Sequence, residues 1–206
     1  MAQRQTTDGM GPTQRAIKRA ADIICALIGM VLLSPVMALI ALSLKIQHNG
    51  PVLFSQVRIG LHGRPFVIYK FRTMSSEAEN EGPRLIAQCD EDSSTRLERF
   101  LRSHHLDELP QLWNVLRGDM SLVGPRPERK YYIDKIMEQD ARYALIYQMR
   151  PGLTSEATLY NGYTDTMEKM LRRLQMDLHY LRHRSLWTDT KIIIKTALSI
   201  IGGNKF

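Results

Sequence analysis

The chain has 206 residues, a formal charge of +7, 44% hydrophobic and 24% charged residues, a composition that fits one folded domain and excludes both a disordered chain and a repeat array. Its two cysteines, Cys25 and Cys89, lie far apart without the C-x-x-C spacing of metal or redox sites, so no disulfide framework is expected and a reducing, cytosol-facing body is. The basic excess admits nucleic acid, anionic lipid or phosphorylated small molecules as partners.

Residues 1–14 are polar and glycine-rich and are expected to form a flexible tail. Arg15 to Asp22 leads as a basic helical turn into residues 23–44, where no side chain is charged. As a helix this run would measure about 33 Å, enough to cross a bilayer core of about 30 Å. Ser34-Pro35 falls in its middle, where proline removes a helical hydrogen bond. Arg15, Lys18 and Arg19 precede the run; Lys45, Arg58, Arg64, Lys70 and Arg72 follow it, with no acid between residues 45 and 72. Both flanks therefore read as cytoplasmic. A re-entrant helix-break-helix over residues 15–45 satisfies length, proline and charge together; the competing reading is a kinked transmembrane helix, since spanning helices tolerate proline. A cleaved signal peptide is disfavoured because no small-x-small site precedes Lys45.

Residues 46–206 read as one cytosolic catalytic body of α+β class, mostly helical. Val52 to Ile59 and Phe66 to Phe71 form the one convincing β-structure, a hairpin around Gly60-Leu61-His62-Gly63. Ser75 to Ser94 is polar and broken by Gly82-Pro83, a surface excursion; Thr95 to Ser103 resumes a helical pattern. Leu109, Leu112, Trp113 and Leu116 share one face of an amphipathic helix that Asp107 would cap, Pro110 would open and Gly118 would stop. Asp134 to Tyr147 and Asp165 to Arg184 are further helices. Leu186 to Ile201, with Trp187, Lys191, Lys195 and the Ile192 to Ile194 run, reads as an amphipathic helix at the membrane interface or as a terminal core helix.

Three constellations could carry chemistry. Asp107-Glu108 places adjacent carboxylates where one could be a nucleophile or metal ligand, or simply a helix cap. In Ser121 to Glu128, Pro125 and Pro127 stiffen the backbone around Arg126, presenting a guanidinium suited to bidentate capture of phosphate, or forming only a rigid turn. Asp177 and Asp189, with Lys70, Arg72 and Arg102, could complete a metal and phosphate site if the fold gathers them onto the dyad. His104 and His105 lack a second ligand set at zinc spacing.

Tyr69-Lys70-Phe71-Arg72-Thr73-Met74, Leu106-Asp107-Glu108-Leu109-Pro110-Gln111, Ser121 to Pro127 and Arg150-Pro151-Gly152-Leu153-Thr154, in this order, closely resemble the bacterial sugar transferases, the monotopic phosphoglycosyl transferases, over about residues 15–201. The resemblance implies transfer of a sugar-1-phosphate from a UDP-sugar to undecaprenyl (polyprenyl) phosphate with release of UMP, at the cytoplasmic face of the bacterial inner membrane. The product would begin a lipid-linked glycan for later glycosyltransferases. It also implies a hairpin broken at a Ser-Pro pair, here Ser34-Pro35. Carried over by position, Asp107 is the nucleophile that forms a phosphosugar-aspartate intermediate, with Glu108 assisting through Mg²⁺, which the two carboxylates would bind, or through the proton inventory. Arg126 is the phosphate clamp, Lys70 and Arg102 are basic residues near the dyad, and Asp177 and Asp189 are supporting acids. Ser155 departs from the glycine common after Thr154 in relatives and bears on the sugar pocket. The chain reads as the minimal form of the family, without the transmembrane helices and soluble domain that precede the core of larger relatives.

A basic membrane-surface adaptor that catalyses nothing would explain the charge but not the motifs. Nucleic acid is disfavoured because no basic face interleaved with aromatics and no reading helix is evident. Within the enzyme reading, another nucleotide sugar or another acceptor is the alternative, and neither the sugar nor the oligomeric state is legible in the residues.

Overall fold

The structure is a computed structural model that describes residues 8–47, 50–73, 95–162 and 164–202. Helix α1 (Pro12–Gln47) is followed by the hairpin β1 (Leu53–Ile59) and β2 (Pro65–Phe71), then α2 (Arg96–Ser103) and α3 (Gln111–Arg117). Strand β3 (Ser121–Val123), α4 (Lys130–Gln139), β4 (Gly152–Thr154), α5 (Glu156–Asn161), α6 (Met167–His183) and α7 (Leu186–Ile201) complete the chain. The result is a mostly helical α+β protein with two two-stranded sheets among the described residues.

α1 runs through Pro35 as one 36-residue helix, so the expected break is not an interruption of the helix. Two causes act together. Pro35 leaves the Val31 carbonyl without its helical donor, and Ser34 Oγ donates to that carbonyl at 2.8 Å. In addition, Asp22, Ala26, Ile40 and Leu44 are buried, and Met30, Leu33 and Met37 pack beside them. This stripe at helical spacing lies against the body on both sides of the proline. The outer face of the uncharged stretch of α1 is exposed, including Leu27, Val31, Leu32, Leu39 and Leu42. It is the one described helix long and apolar enough to cross a membrane.

The tail expected over residues 1–14 is tied down from residue 8 onward. Gly9 N–H donates to the Leu181 carbonyl at 2.9 Å, Arg184 holds Asp8 through two bonds, and the helix has begun by Pro12. The hairpin matches its expectation, pairing Leu53 with Phe71 through Ile59 with Pro65. The excursion expected over 75–94 lies outside the described residues. Thr95 caps α2 in a capping box with Glu98.

The single helix expected over Asp134 to Tyr147 is divided. Asp140 adopts an extended conformation, its side chain accepts from Arg142 N–H, and a 3₁₀ run over Ala141–Gln148 follows α4. Strands β3 and β4 pair in parallel, Ser121 with Gly152 and Val123 with Thr154; β3 lies in the segment read as a rigid loop or turn, and no strand was expected in either segment. Around them Ile133, Ile136, Tyr143, Ile146, Leu174, Leu178 and Leu181 form the largest core cluster. A second joins α1 to α3 and β2 through Ala26, Leu112, Val115 and Ile68, and a third joins α1 to β2 and α2 through Ile40, Leu44, Phe71 and Leu101.

Candidate active site

Asp107 and Glu108 occupy a 3₁₀ turn, Leu106–Glu108, entered through His105 in the left-handed region at φ 54°, ψ 22°. α3 begins only at Gln111 and is seven residues long. Asp107 is therefore not its cap, and the charge of the dyad is set by burial and by neighbouring side chains. Both carboxylates are buried. On the far side of α3, Gly118 ends the helix at φ 93°, a conformation suited to glycine.

Two cations converge on Glu108. Lys70, from β2, places Nζ 2.5 Å from Glu108 Oε1, and Arg126, from the loop after β3, places Nη2 3.1 Å from the same oxygen. Burial alone would raise the Glu108 carboxyl, but Lys70 and Arg126 outweigh it and hold the group well below the usual range. Asp107 behaves oppositely. Burial pushes its carboxyl up to about 6, with Glu108 adding to the rise and Lys70 and Arg126 opposing it. Among the described residues no side chain forms an ion pair or hydrogen bond with the Asp107 carboxylate. Burial also lowers the affinity of His105 for a proton, which favours the neutral imidazole.

The loop that carries Arg126 is braced on both sides. Gly124 N–H donates to the Thr154 carbonyl at 3.0 Å, and Gly152 N–H donates to the Pro125 carbonyl at 2.9 Å. A Cβ on Gly124 would stand 2.3 Å from the Arg150 carbonyl oxygen, and one on Gly152 would stand 2.1 Å from Gly124 N. Glycine is required at both positions for the backbones to meet.

A residue the sequence did not single out fastens α3, which follows the dyad, to β2. Asn114, fully buried on α3, donates to the Val67 carbonyl at 2.7 Å and accepts from Tyr69 N–H at 3.2 Å, one residue from Lys70. Its signal was an amide placed between the apolar positions Leu112 and Val115. Trp113, expected on the buried face, is exposed.

The remaining candidates divide. Arg102 donates to the Thr73 carbonyl, tying α2 to the end of β2, and Arg72 completes the hairpin edge through its N–H to the Val52 carbonyl at 2.8 Å. Asp177 lies buried on α6, with Arg173, Glu128 and Glu156 as its charged neighbours, and burial raises its carboxyl to about 7. Asp189 is elsewhere. It accepts from Lys18 Nζ at 2.6 Å and from the Tyr180 hydroxyl at 2.5 Å, so it anchors α7 to α1 and α6.

No group of three or more His, Cys, Asp or Glu placed to hold a metal ion occurs among the described residues. That does not count against Mg²⁺, which is commonly held by one or two carboxylates together with substrate phosphates. Among the described residues the buried Asp107 carboxylate forms no ion pair, and Glu108 engages Lys70 and Arg126 through one oxygen. The residues present fit such an ion.

The site thus combines a buried carboxylate dyad with two cations, one of them an arginine on a braced loop. Residues 13–203 match the family model for bacterial sugar transferase, and the chain belongs to that family. It is 44% identical over 187 residues to the UDP-glucose:undecaprenyl-phosphate glucose-1-phosphate transferase of Caulobacter vibrioides, an alignment covering 89% of this chain and 69% of that protein. It is 38% identical over 192 residues to the UDP-N-acetylgalactosamine-undecaprenyl-phosphate N-acetylgalactosaminephosphotransferase of Aeromonas hydrophila, covering 93% of this chain and 45% of that protein. Against the sugar transferase EpsL of Bacillus subtilis the identity is 36% over 185 residues, with 90% and 87% covered. The chain thus spans less than half of the Aeromonas protein and most of the Bacillus one.

Proposed function

We propose that this protein transfers a sugar-1-phosphate from a UDP-sugar to undecaprenyl phosphate, releasing UMP, through a covalent intermediate on Asp107. The observation that carries the reading is the asymmetry of the dyad: Glu108 is ion-paired with Lys70 and Arg126, while Asp107, buried beside it, forms no ion pair among the described residues. A carboxyl raised to about 6 is ionised at neutral pH, yet more basic and more nucleophilic than an exposed aspartate.

In the first half-reaction an Asp107 carboxylate oxygen attacks the phosphorus that bears the sugar. The bond from that phosphorus to the bridging oxygen breaks, and UMP departs with the oxygen, leaving an acyl phosphate between Asp107 and the sugar. In the second, a phosphate oxygen of the lipid attacks the same phosphorus, the bond to Asp107 breaks, and the carboxylate is regenerated. Arg126 has donors beyond the one spent on Glu108 and is placed to hold the transferred phosphate. Lys70 keeps Glu108 ionised and fixed in the dyad. Mg²⁺ bound through Asp107 and Glu108 would neutralise charge on the diphosphate. The relatives' names carry different sugars, so the donor is left to experiment.

The same reading places α1 in one leaflet, with the body on the cytoplasmic face. Its support is that both halves of α1, at Ala26 and at Ile40 and Leu44, pack on the same body, and that basic residues flank both ends.

The decisive experiment follows UMP from UDP-glucose and UDP-N-acetylgalactosamine with purified protein and Mg²⁺, with and without undecaprenyl phosphate. The expected result is about one UMP per protein without lipid, turnover with it, and neither in Asp107→Asn. Sustained turnover by Asp107→Asn would overturn the covalent route.

A further inference from the structure

We propose that Arg173 is a positioning residue for Arg126: by engaging Glu128, it prevents a second carboxylate on the same loop from drawing the Arg126 guanidinium away from the dyad and the transferred phosphate. This rests on the reading of Arg126 given above. Glu128 stands two residues after Arg126, beyond Pro127, and its backbone is fixed by Ile59 N–H donating to its carbonyl at 3.3 Å. Its side chain is turned toward α6, where Arg173 Nη1 lies 2.5 Å from Glu128 Oε1. Arg173 is itself buried, with Asp177 one turn further along the same helix.

Arg126 therefore sits between two acids, bonded to Glu108 and within the electrostatic reach of Glu128. Arg173 decides which of them it serves. With Arg173 present, Glu128 has a partner on α6. Without it, Glu128 loses that ion pair, and Arg126, two residues before it on the same loop, is already within its electrostatic reach. A guanidinium shared with Glu128 has fewer donors for a phosphate, which weakens substrate capture more than the chemical step.

The test is steady-state kinetics on the full chain, with UDP-sugar varied at saturating undecaprenyl phosphate, for wild type, Arg126→Ala, Arg173→Met and the double variant Glu128→Gln/Arg173→Met, each checked by thermal unfolding. Arg173→Met is expected to raise KM for the UDP-sugar about tenfold, the low end of losing one charge-assisted hydrogen bond, with kcat changed less than about threefold. The double variant, which removes the competing charge, is expected to recover KM to within about twofold of wild type; a purely structural Arg173 predicts no such rescue. Should Arg173→Met not fold, the double variant carries the test alone: near wild-type KM supports the inference and a tenfold rise overturns it. Impaired Arg126→Ala with unchanged Arg173→Met overturns this inference only, whereas wild-type kinetics in Arg126→Ala overturns the phosphate role of Arg126 and this inference with it.

Discussion

Lys18 Nζ meets Asp189 Oδ2 at 2.6 Å across 171 residues of chain, joining the start of the apolar helix to the start of α7. Both side chains are nearly buried, and the next acid to Lys18, Asp22, is 3.9 Å away. Asp189→Ala leaves the ammonium and the Tyr180 hydroxyl without their shared acceptor. Breaking one side of such a pair costs about 3–5 kcal/mol. A clear fall in Tm in detergent is expected, with KM for the UDP-sugar unchanged in the folded protein. A tenfold rise in KM at unchanged Tm would instead return Asp189 to the catalytic site.

Asp177 gives the protein a pH-dependent stability of defined sign. Its carboxyl lies near 7 in the folded chain and near 3.8 when unfolded. Below about pH 4 both states are protonated and the group favours neither. Between about 4 and 7 the unfolded chain loses the proton first, so this residue destabilises the fold by about 1.4 kcal/mol per pH unit at most. Asp177→Asn is expected to gain stability over wild type at pH 8 relative to pH 5. Parallel pH profiles of unfolding for the two proteins would remove this assignment.

Local patterns made much of this fold legible. Val, Ile, Phe and Tyr around Gly60 and Gly63 marked the hairpin, Trp187 and the Ile192 to Ile194 run marked α7 over its full length, and residue types alone singled out Asp107, Glu108, Lys70 and Arg126. What stayed hidden depends on distant chain. Three-residue strands ending in Val123 and Thr154 are too short to show a period. Asp177 and Asp189 lie twelve positions apart on successive helices, and only packing reveals that one neighbours Arg173 while the other meets Lys18. Pro35 is a strong local signal that a packed stripe and a serine hydroxyl override.

The contact of Gly124 with Gly152 is expected to tolerate no side chain. At 2.3 Å the obstacle to a Cβ on Gly124 is the Arg150 backbone carbonyl, which cannot swing aside as a side chain would. Gly124→Ala therefore has to separate β3 from β4, at a cost of about 1–3 kcal/mol for overpacking, and it displaces the loop that holds Arg126. Lower Tm together with raised KM is the expected pair of changes. A variant with wild-type values in both would show that the loop has slack.

Within the dyad, Lys70 and Arg126 act on the same Glu108 oxygen but have separable consequences. Arg126 retains donors for substrate, so Arg126→Ala is expected to raise KM for the UDP-sugar by about 10–100-fold, the range of a lost charged hydrogen bond. Lys70 is the closer partner of Glu108, and Lys70→Met leaves that carboxylate with one cation. The expected result is a fall in kcat that exceeds the change in KM, because the ionisation and placement of the dyad are disturbed. Equal KM effects for both variants would mean that both cations hold substrate.

Pro35→Ala sets the proline against the anchors of α1. Alanine at 35 restores a donor for the Val31 carbonyl and removes about 3 kcal/mol of helix penalty, which favours a straight, spanning helix. Opposing it, Arg19 donates to the carbonyls of Val115 and Leu116 at 2.7 and 3.0 Å, and Lys18 is paired with Asp189. Releasing that end costs about 3–5 kcal/mol for the ion pair alone, so the anchors outweigh the proline. Single cysteines at Gln14→Cys and Gln47→Cys, in a Cys25→Ser/Cys89→Ser background, are therefore expected to label from the cytoplasmic side both with Pro35 and with Pro35→Ala. Adding Lys18→Met and Arg19→Met to Pro35→Ala is expected to move part of the Gln14→Cys population to the other face. Protection of that residue in Pro35→Ala alone would show that the proline, rather than the anchors, sets the topology.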